Sequence, residues 1–537
     1  MQLNFTDVSY IHPDGEKLFE KINFSLSKKI TALVGNNGSG KTTVFKMISD
    51  ELSPSTGKII KSGYFYNLPQ NLDSFSKNTL EEILGVDKKL NALTKITEGV
   101  ANETDYEIFD NDWELENRLE NILKKINLSI TDLKRKISTF SGGEISKIFF
   151  SSLLTRKPDL ALLDEPTNNL DINSREFLYS FIKSYKGKIF VVSHDVELLK
   201  LADEIIELQN GKVKIYGGNY DFYFSERERE KNNLLHEYKK NISEKKSVEI
   251  ENRKKLEVGN KSMAQGKKQA VKTRQLKAVA NKRKQNAEQT MASKNKIGET
   301  KVAELNEKIS SLETKLIKES PIKLDINPVT KTSTKLLIKT ENFSPVYDKK
   351  LWEQGLDLEI FGNDRLLISG SNGCGKTSLI KTICGVHKSY SGKISVSTDK
   401  IALLNQNFLH LDGELNLYET VKKASKSRTE EHEIRIRLGR FLFYGDTVFK
   451  KVKYLSGGEK VRLSLLKMLV TGEPEILILD EPTNNLDLTG LEQLQVALNS
   501  YKGCLVIISH DKHFVSNLNL TGELLINSQE KHHFISG

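Results

Sequence analysis

Residues 35–42 read GNNGSGKT, a glycine-rich turn that ends in a lysine and a threonine. In such a turn Gly35, Asn36, Asn37, Gly38, Ser39 and Gly40 offer backbone N–H groups that curl around a β-phosphate. Lys41 adds a cation for the β- and γ-phosphates, Thr42 an oxygen for Mg2+, and Thr43 extends the same nucleotide-facing run. A hundred residues on, Ser141, Gly142 and Gly143 form a turn that opens a helix, and helix N-termini bind anions through unpaired N–H groups. LALLDEP (Leu160–Pro166) ends in two carboxylates, Asp164 placed for a Mg2+ shell and Glu165 for polarising an attacking water. KIFVVSHD (Lys188–Asp195) carries His194 where it can touch a γ-phosphate. Gln70, in a loop after a short strand at Gly63–Asn67, is a weaker candidate on spacing alone.

These groups need a sheet whose strands end together. ITALVG (Ile30–Gly35), LALLD and KIFVV are short apolar runs of buried-strand type, and a helix is expected from Lys41. LNFTDVSY and FEKINFSLS alternate and predict an antiparallel start. Trp113–Leu128 has helical spacing, and the acidic run Asn102–Glu120 reads as a solvated helix face and turn.

The same series recurs in ISGSNGCGKT (Ile368–Thr377), LSGGE (Leu455–Glu459), LILDEP (Leu477–Pro482) and VIISHD (Val506–Asp511). The second set comprises Gly370, Ser371, Asn372, Gly373, Cys374, Gly375, Lys376, Thr377 and Ser378, then Gln406, Ser456, Gly457 and Gly458, then Asp480, Glu481 and His510. From lysine to signature serine is 100 residues in the first copy and 80 in the second, whereas aspartate to histidine is 30 in both. The domain is therefore duplicated, with 20 additional residues before Ser141.

These motifs, with PTNNLD in both halves (Pro166–Asp171, Pro482–Asp487), resemble those of ATP-binding cassette ATPases. The resemblance implies two cassettes closing head to tail over ATP and Mg2+. One site would combine Gly35–Thr42, Gln70, Asp164, Glu165 and His194 with Ser456, Gly457 and Gly458. The other would combine Gly370–Thr377, Gln406, Asp480, Glu481 and His510 with Ser141, Gly142 and Gly143. Thr42, Gln70, Asp164, Thr377, Gln406 and Asp480 would form the Mg2+ shell, partly through water. Glu165, Glu481, His194 and His510 would be catalytic, and both sites are expected to hydrolyse ATP. Tyr347 would stack on adenine in the second site, with Tyr10 matching less well in the first. The signatures end in Glu144 and Glu459 where many transporter cassettes carry glutamine. The PTNNLD loops would cross the interface and couple the sites.

The chain has 537 residues, enough for several cores, and a net charge of +10. No 18-residue apolar run is free of charge, and Met1 leads straight into a strand pattern, so neither membrane spanning nor secretion is expected. Cys374, Cys384 and Cys504 lack metal-ligand spacing and suit a reducing compartment. The charge is concentrated in residues 222–320, where 25 Lys/Arg face 14 Asp/Glu. By itself such a run is most often a solvated face or charged coiled coil. Between tandem cassettes without a membrane domain it resembles the interdomain linker of the ABC-F family. The layout implied is α/β: cassettes at 1–221 and 321–537 joined by a long antiparallel helical hairpin at 222–320, with its tip near 259–270. Val302, Leu305, Ile309, Leu312 and Leu316 would pack on Leu234, Leu235, Ile242 and Val248, and Pro321 and Pro328 would end the element.

The family likeness further implies a cytoplasmic monomer that binds the 70S ribosome, its linker reaching 23S rRNA and P-site tRNA near the peptidyl-transferase centre. A short insertion before Ser141, no basic C-terminal coiled coil and a developed linker look like members that protect ribosomes from antibiotics. General translation factors share the plan, and a transporter motor or DNA-processing ATPase are the other classes a cassette pair admits.

Overall fold

The computed structural model describes every residue except 14, 16, 70–71, 169, 273–295, 297–298, 314–315, 317–333, 405–410, 426–429, 473, 485, 528–532 and 537. Gln70, Gln406, Pro321 and Pro328 thus lie outside the described residues. The chain divides into two compact units, Met1–Tyr223 with Pro321–Gly537, and Phe224–Ser320.

In the first unit, β1 (Gln2–Ile11), β2 (Lys17–Ser25) and β4 (Thr56–Ser62) form an antiparallel sheet in the order β2-β1-β4. The larger sheet runs β5-β6-β7-β3-β8-β9, from Phe65–Leu68, Leu160–Asp164, Lys188–Val192, Ile30–Val34, Glu204–Gln209 and Lys212–Tyr216. All its pairs are parallel except β8 with β9. Strands covered on both faces must be apolar throughout, which is why they read as continuous hydrophobic runs rather than alternating ones. Leu33, Leu162, Phe190 and Ile206 face the helix Lys41–Ile48 and the small sheet, while Ala32, Leu163, Val191 and Ile205 face the helices Gly142–Arg156 and Ile172–Ser184.

The second cassette repeats the plan. Its small sheet is β11-β10-β13 (Leu356–Phe361, Leu336–Pro345, Tyr390–Val396). Its large sheet is β14-β15-β16-β12-β17-β18, from Ile401–Leu404, Ile476–Asp480, Cys504–Ile508, Arg365–Ser369, Gly522–Leu525 and His533–Ser536. In both halves the P-loop strand, β3 or β12, is central. The strands bearing the carboxylates and the histidine end on the same edge.

The additional residues of the first cassette form two helices, Asp87–Thr97 and Glu103–Phe109, ahead of the helix Leu115–Lys125. Asn102 caps the second in a reciprocal box with Asp105, which also binds Lys95 at 2.8 Å. Arg118 grips Asp112 with two hydrogen bonds, 3.0 and 2.7 Å, and Lys89 adds a third at 3.3 Å. The Arg118 guanidinium holds the Asp112 carboxyl below the usual range despite its partial burial. Its contribution to stability is therefore present above the ordinary aspartate range of about 4 and lost as pH falls through the lower folded value. Asp112→Ala is expected to cost about 1 kcal/mol at pH 7, with no difference from wild type once both are compared near pH 2 in urea melts. Equal destabilisation at both pH values would contradict this account.

In the second unit, the helix that begins at Tyr220 runs 53 residues to Lys272, about 80 Å of rise. The break expected at 259–270 is corrected: the helix continues through Gly259 and Gly266. An isolated glycine costs about 1 kcal/mol relative to alanine, and the Lys, Gln, Ala and Met around these two are good helix formers. Residues 299–313 are helical too, with Leu305 and Leu312 buried and Lys301 paired to Glu244 at 3.2 Å. The two cassettes are thus joined by a helical insertion. Among the described residues no helix is long and apolar enough to cross a membrane.

Candidate nucleotide sites

Each P-loop leaves its central strand and turns into a helix at a left-handed glycine. Gly40 and Gly375 have φ of +101° and +107°, and a Cβ would come within 2.8 Å of Leu18 or 2.6 Å of Leu351. The lysine that follows is buried, and its Nζ donates back to the loop: Lys41 to Gly35 O (2.7 Å) and Asn36 O (3.2 Å), Lys376 to Gly370 O (2.7 Å) and Ser371 O (2.8 Å). Thr377 Oγ1 donates to Asp480 Oδ2 at 3.2 Å, and Thr42 bonds Asp164 in the same way. A threonine oxygen beside a carboxylate is a donor set that suits Mg2+.

Glu165 and Glu481 sit one residue past the ends of β6 and β15, at φ of +47° and +48°. A non-glycine residue there is strained, and each is pinned by its own amide, which donates to Val192 O (2.9 Å) or Ile508 O (3.0 Å). The strain aims both carboxylates at the histidine on the neighbouring strand. His194 Nε2 lies 3.4 Å from Glu165 Oε1, and His510 Nε2 lies 3.4 Å from Glu481 Oε1. Burial pushes the Glu165 carboxyl up, with Lys41 opposing. Burial also pushes Glu481 up to about 7, against Arg175 and with Asp480 adding to the rise. Burial, then Lys41, drives His194 well below its usual value, and burial, then Lys376 and Arg175, takes His510 to about 4. Both rings are neutral near pH 7. Glu481 Oε1 and Nδ1 of both histidines are buried without a hydrogen-bond partner among the described residues. A nucleotide's terminal phosphate and its water supply the chemistry such groups lack.

The cassettes meet across these loops. Asp487 accepts a hydrogen bond from Gly490 N at 2.8 Å, capping its own helix, while its other oxygen accepts from Asn37 N of the opposite P-loop at 3.0 Å. Asp171 does the same with Ser174 N (2.9 Å) and Asn372 N (3.4 Å). Burial raises the Asp171 carboxyl, but these amides outweigh it and hold the group below its usual value.

Two cavities result. The first, about 460 Å3, gathers Asn37, Gly38, Gly40, Lys41, Thr42, Thr43, Asp164, Glu165 and His194 against Gly457 of the second cassette. The second, about 590 Å3, gathers Asn372, Gly373, Gly375, Lys376, Thr377, Ser378, Asp480, Glu481 and His510. Contrary to expectation, Ser456 and Gly458 do not line the first cavity, and Ser141, Gly142 and Gly143 do not line the second, whose cross-cassette residues are Leu170 and Arg175. The longer Asp171–Asn372 bond and the larger volume agree that this side is wider.

Ser141 and Ser456 cap the helices Gly142–Arg156 and Gly457–Thr471, each in a box with the glutamate three residues on. Ser141 N and Oγ both donate to Glu144 Oε2 at 2.8 Å, and Ser456 N donates to Glu459 Oε2 at 2.8 Å. The departure from glutamine is thus a capping feature.

Tyr347 is exposed and stacks on His387 (centroids 4.6 Å apart), its hydroxyl 3.0 Å from Ser378 Oγ. In the first cassette Tyr10 packs instead near Phe19, and His12 lines the cavity. Both β1 and β10 kink at a left-handed residue, Asp7 or Asn342, and five positions on stand His12 and Tyr347. His12 and Tyr347 thus correspond when counted from the kink, a backbone feature, and not when counted from Leu18 and Leu351. Arg175, which lines both cavities, carried no motif signal.

The family model described as ABC transporter matches residues 19–168 and 354–484, more than half the chain. The ATP-binding protein Uup of Buchnera aphidicola subsp. Acyrthosiphon pisum is 30% identical over 509 residues, covering 93% of this chain and 76% of that protein. ABC transporter F family member 5 of Arabidopsis thaliana is 28% identical over 515 residues, 90% of this chain and 69% of its own length. The fold is shared with an archaeal ribosome recycling factor, aABCE1, solved with ribosomal stalk protein aP1, at a TM-score of 0.55 and 18% identity over 99% of this chain and 90% of that one. With two P-loop cassettes, paired ATP and Mg2+ sites and a helical insertion between them, the chain is an ATP hydrolase of the ATP-binding cassette family and belongs to its F branch.

Proposed function

We propose that this ATPase acts on the ribosome and protects it from antibiotics bound near the peptidyl-transferase centre. The observation that carries the reading is the long basic helix inserted between two cassettes that pair across their ATP sites. Lysines and arginines on such an element neutralise phosphates without reading sequence, which suits rRNA and tRNA. The fold shared with a protein described as a ribosome recycling factor supports the same partner.

In the proposed cycle Glu165 and Glu481 take the proton of the attacking water, and neutral His194 and His510 orient the terminal phosphate. Thr42 with Asp164, and Thr377 with Asp480, would hold Mg2+, which neutralises phosphate charge when bound; Gln70 and Gln406 complete this proposed shell. Asp171 and Asp487 tie each site to the opposite P-loop, so ATP binding draws the cassettes together and hydrolysis releases them. The closing movement drives the linker toward the tRNA exit site of a 70S particle in the cytoplasm.

The test is a panel of minimum inhibitory concentrations for lincosamides, streptogramins, pleuromutilins, macrolides and phenicols in a sensitive host expressing the chain. Protection against at least one class without reduced drug accumulation is the expected result. Protection accompanied by reduced accumulation would contradict the reading in favour of export. No protection in any class would contradict the resistance role and favour the second reading, a general translation factor, which the recycling-factor fold supports.

A further inference from the structure

The two sites match in every motif, yet the seam between the cassettes is not symmetric. Four residues beyond each cross-cassette aspartate, the first cassette has Arg175 and the second has Leu491. Arg175 is buried, and its head group is fixed from its own cassette: Nε donates to Leu170 O at 3.2 Å and Nη1 to Asp195 Oδ2 at 3.1 Å. Tyr179 donates to the same Asp195 oxygen at 2.7 Å, whereas the residue in Tyr179's position in the second cassette, Gln495, donates to Phe514 O at 3.3 Å. Asp511, the counterpart of Asp195, is buried too, and Arg175 is near enough to act on it electrostatically. One guanidinium therefore serves two buried carboxylates, one from each half.

Arg175 also lines the second cavity, where Lys376, Lys381, Asp480, Glu481 and His510 are the other charged or titratable groups. Its charge acts there on both Glu481 and His510. Arg175 lines the first cavity as well, but there from its own cassette; the residue that crosses the interface in its place is Leu491, and the charges acting on Glu165 are Lys41, Asp164 and Asp195. Because Arg175 is clamped to Leu170 and Asp195, its place in the second site depends on how the cassettes are paired. A buried cation beside a reacting phosphate is worth most when it is fixed before charge develops.

We propose that Arg175 is a positioning residue that acts across the interface on the second ATP site, so that this charge reaches the second site only when the cassettes are paired, whereas the first site holds it within its own cassette. The two sites then turn over unequally, with the second read out only in the closed pair. This rests on the assignment of Glu165 and Glu481 as the general bases.

The test is rapid-quench single-turnover hydrolysis of ATP by the full chain in two backgrounds, E165Q with only the second site live and E481Q with only the first. R175L, which copies the leucine of the other half, is expected to slow the second site by about 10- to 100-fold with the half-saturating ATP concentration nearly unchanged. The first site, which Arg175 also lines, is expected to slow several-fold less than the second, and R175K to recover most of the second-site rate. Circular dichroism melts of R175L and R175K check folding, and R175K carries the test if R175L does not fold. Equal slowing of both sites, a loss confined to ATP affinity, or R175K as slow as R175L would overturn the proposal. If E481Q leaves second-site hydrolysis intact, the base assignment fails; if E481Q blocks it and R175L changes nothing, only the role of Arg175 fails.

Discussion

Replacing Glu165 and Glu481 together by glutamine is expected to lower ATP turnover by about 10²- to 10⁴-fold while ATP binding stays within a few-fold. Glutamine keeps the length of the side chain and the amide bond to Val192 O or Ile508 O that holds the left-handed backbone. It removes only the ability to accept a proton. Because burial has already raised both carboxyls, each is poised near neutrality, where a general base is most effective. The cap, the cross-cassette bonds of Asp171 and Asp487 and the Lys41 and Lys376 clamps are untouched. The double variant should therefore close on ATP and fail to reopen. Phosphate release and equilibrium binding of a fluorescent ATP analogue separate the two effects. A parallel loss of binding would mean that the carboxylates hold the fold of the loop rather than the water.

Changing Lys254, Lys255, Lys261, Lys267, Lys268 and Lys272 to glutamine should nearly abolish binding to a polyanionic particle and leave basal ATPase intact. All six lie on the helix that starts at Tyr220 and runs on to Lys272. Each phosphate contact removed lowers the slope of log K against log salt by about 0.7–0.9, so six can cost several orders of magnitude at physiological salt. Helicity should survive, because glutamine and lysine have similar helix propensities and the i,i+4 pair Arg253–Glu257 remains. Co-sedimentation with 70S particles across a salt series gives the slope. An unchanged slope would show that these lysines face solvent and neutralise nothing.

The motif residues were legible because the chemistry and the fold ask for the same places. A P-loop needs a strand before it and a helix after it, and a parallel sheet brings Asp164, Glu165 and His194 to one edge as soon as their strands are recognised. The paired halves were legible only through resemblance, since no spacing within one cassette reports that Asp487 reaches Asn37. His12 was missed because the loop before Leu18 differs in length from that before Leu351, and the strand kink at Asp7 leaves no sequence mark. Arg175 was missed because an arginine on a helix is ordinarily surface, whereas this one is buried and bonded to Leu170 O and Asp195. The glycines at 259 and 266 misled for the opposite reason: local propensity argued for a break, and the neighbouring residues carried the helix through. The surplus before Ser141 had a clear length but no visible fold, and it proved to be two short helices pinned by Arg118 and Lys89 to Asp112.

In the proposed function ATP closes this cassette pair onto a ribosome. Sucrose-cushion sedimentation of E165Q/E481Q with purified 70S ribosomes in Mg2+, with and without ATP, addresses it directly. The expected result is near-stoichiometric pelleting with ATP and Mg2+, and recovery in the supernatant when ATP is left out at the same Mg2+ concentration. Recovery of the variant in the supernatant under both conditions, with ATP demonstrably bound, would contradict it.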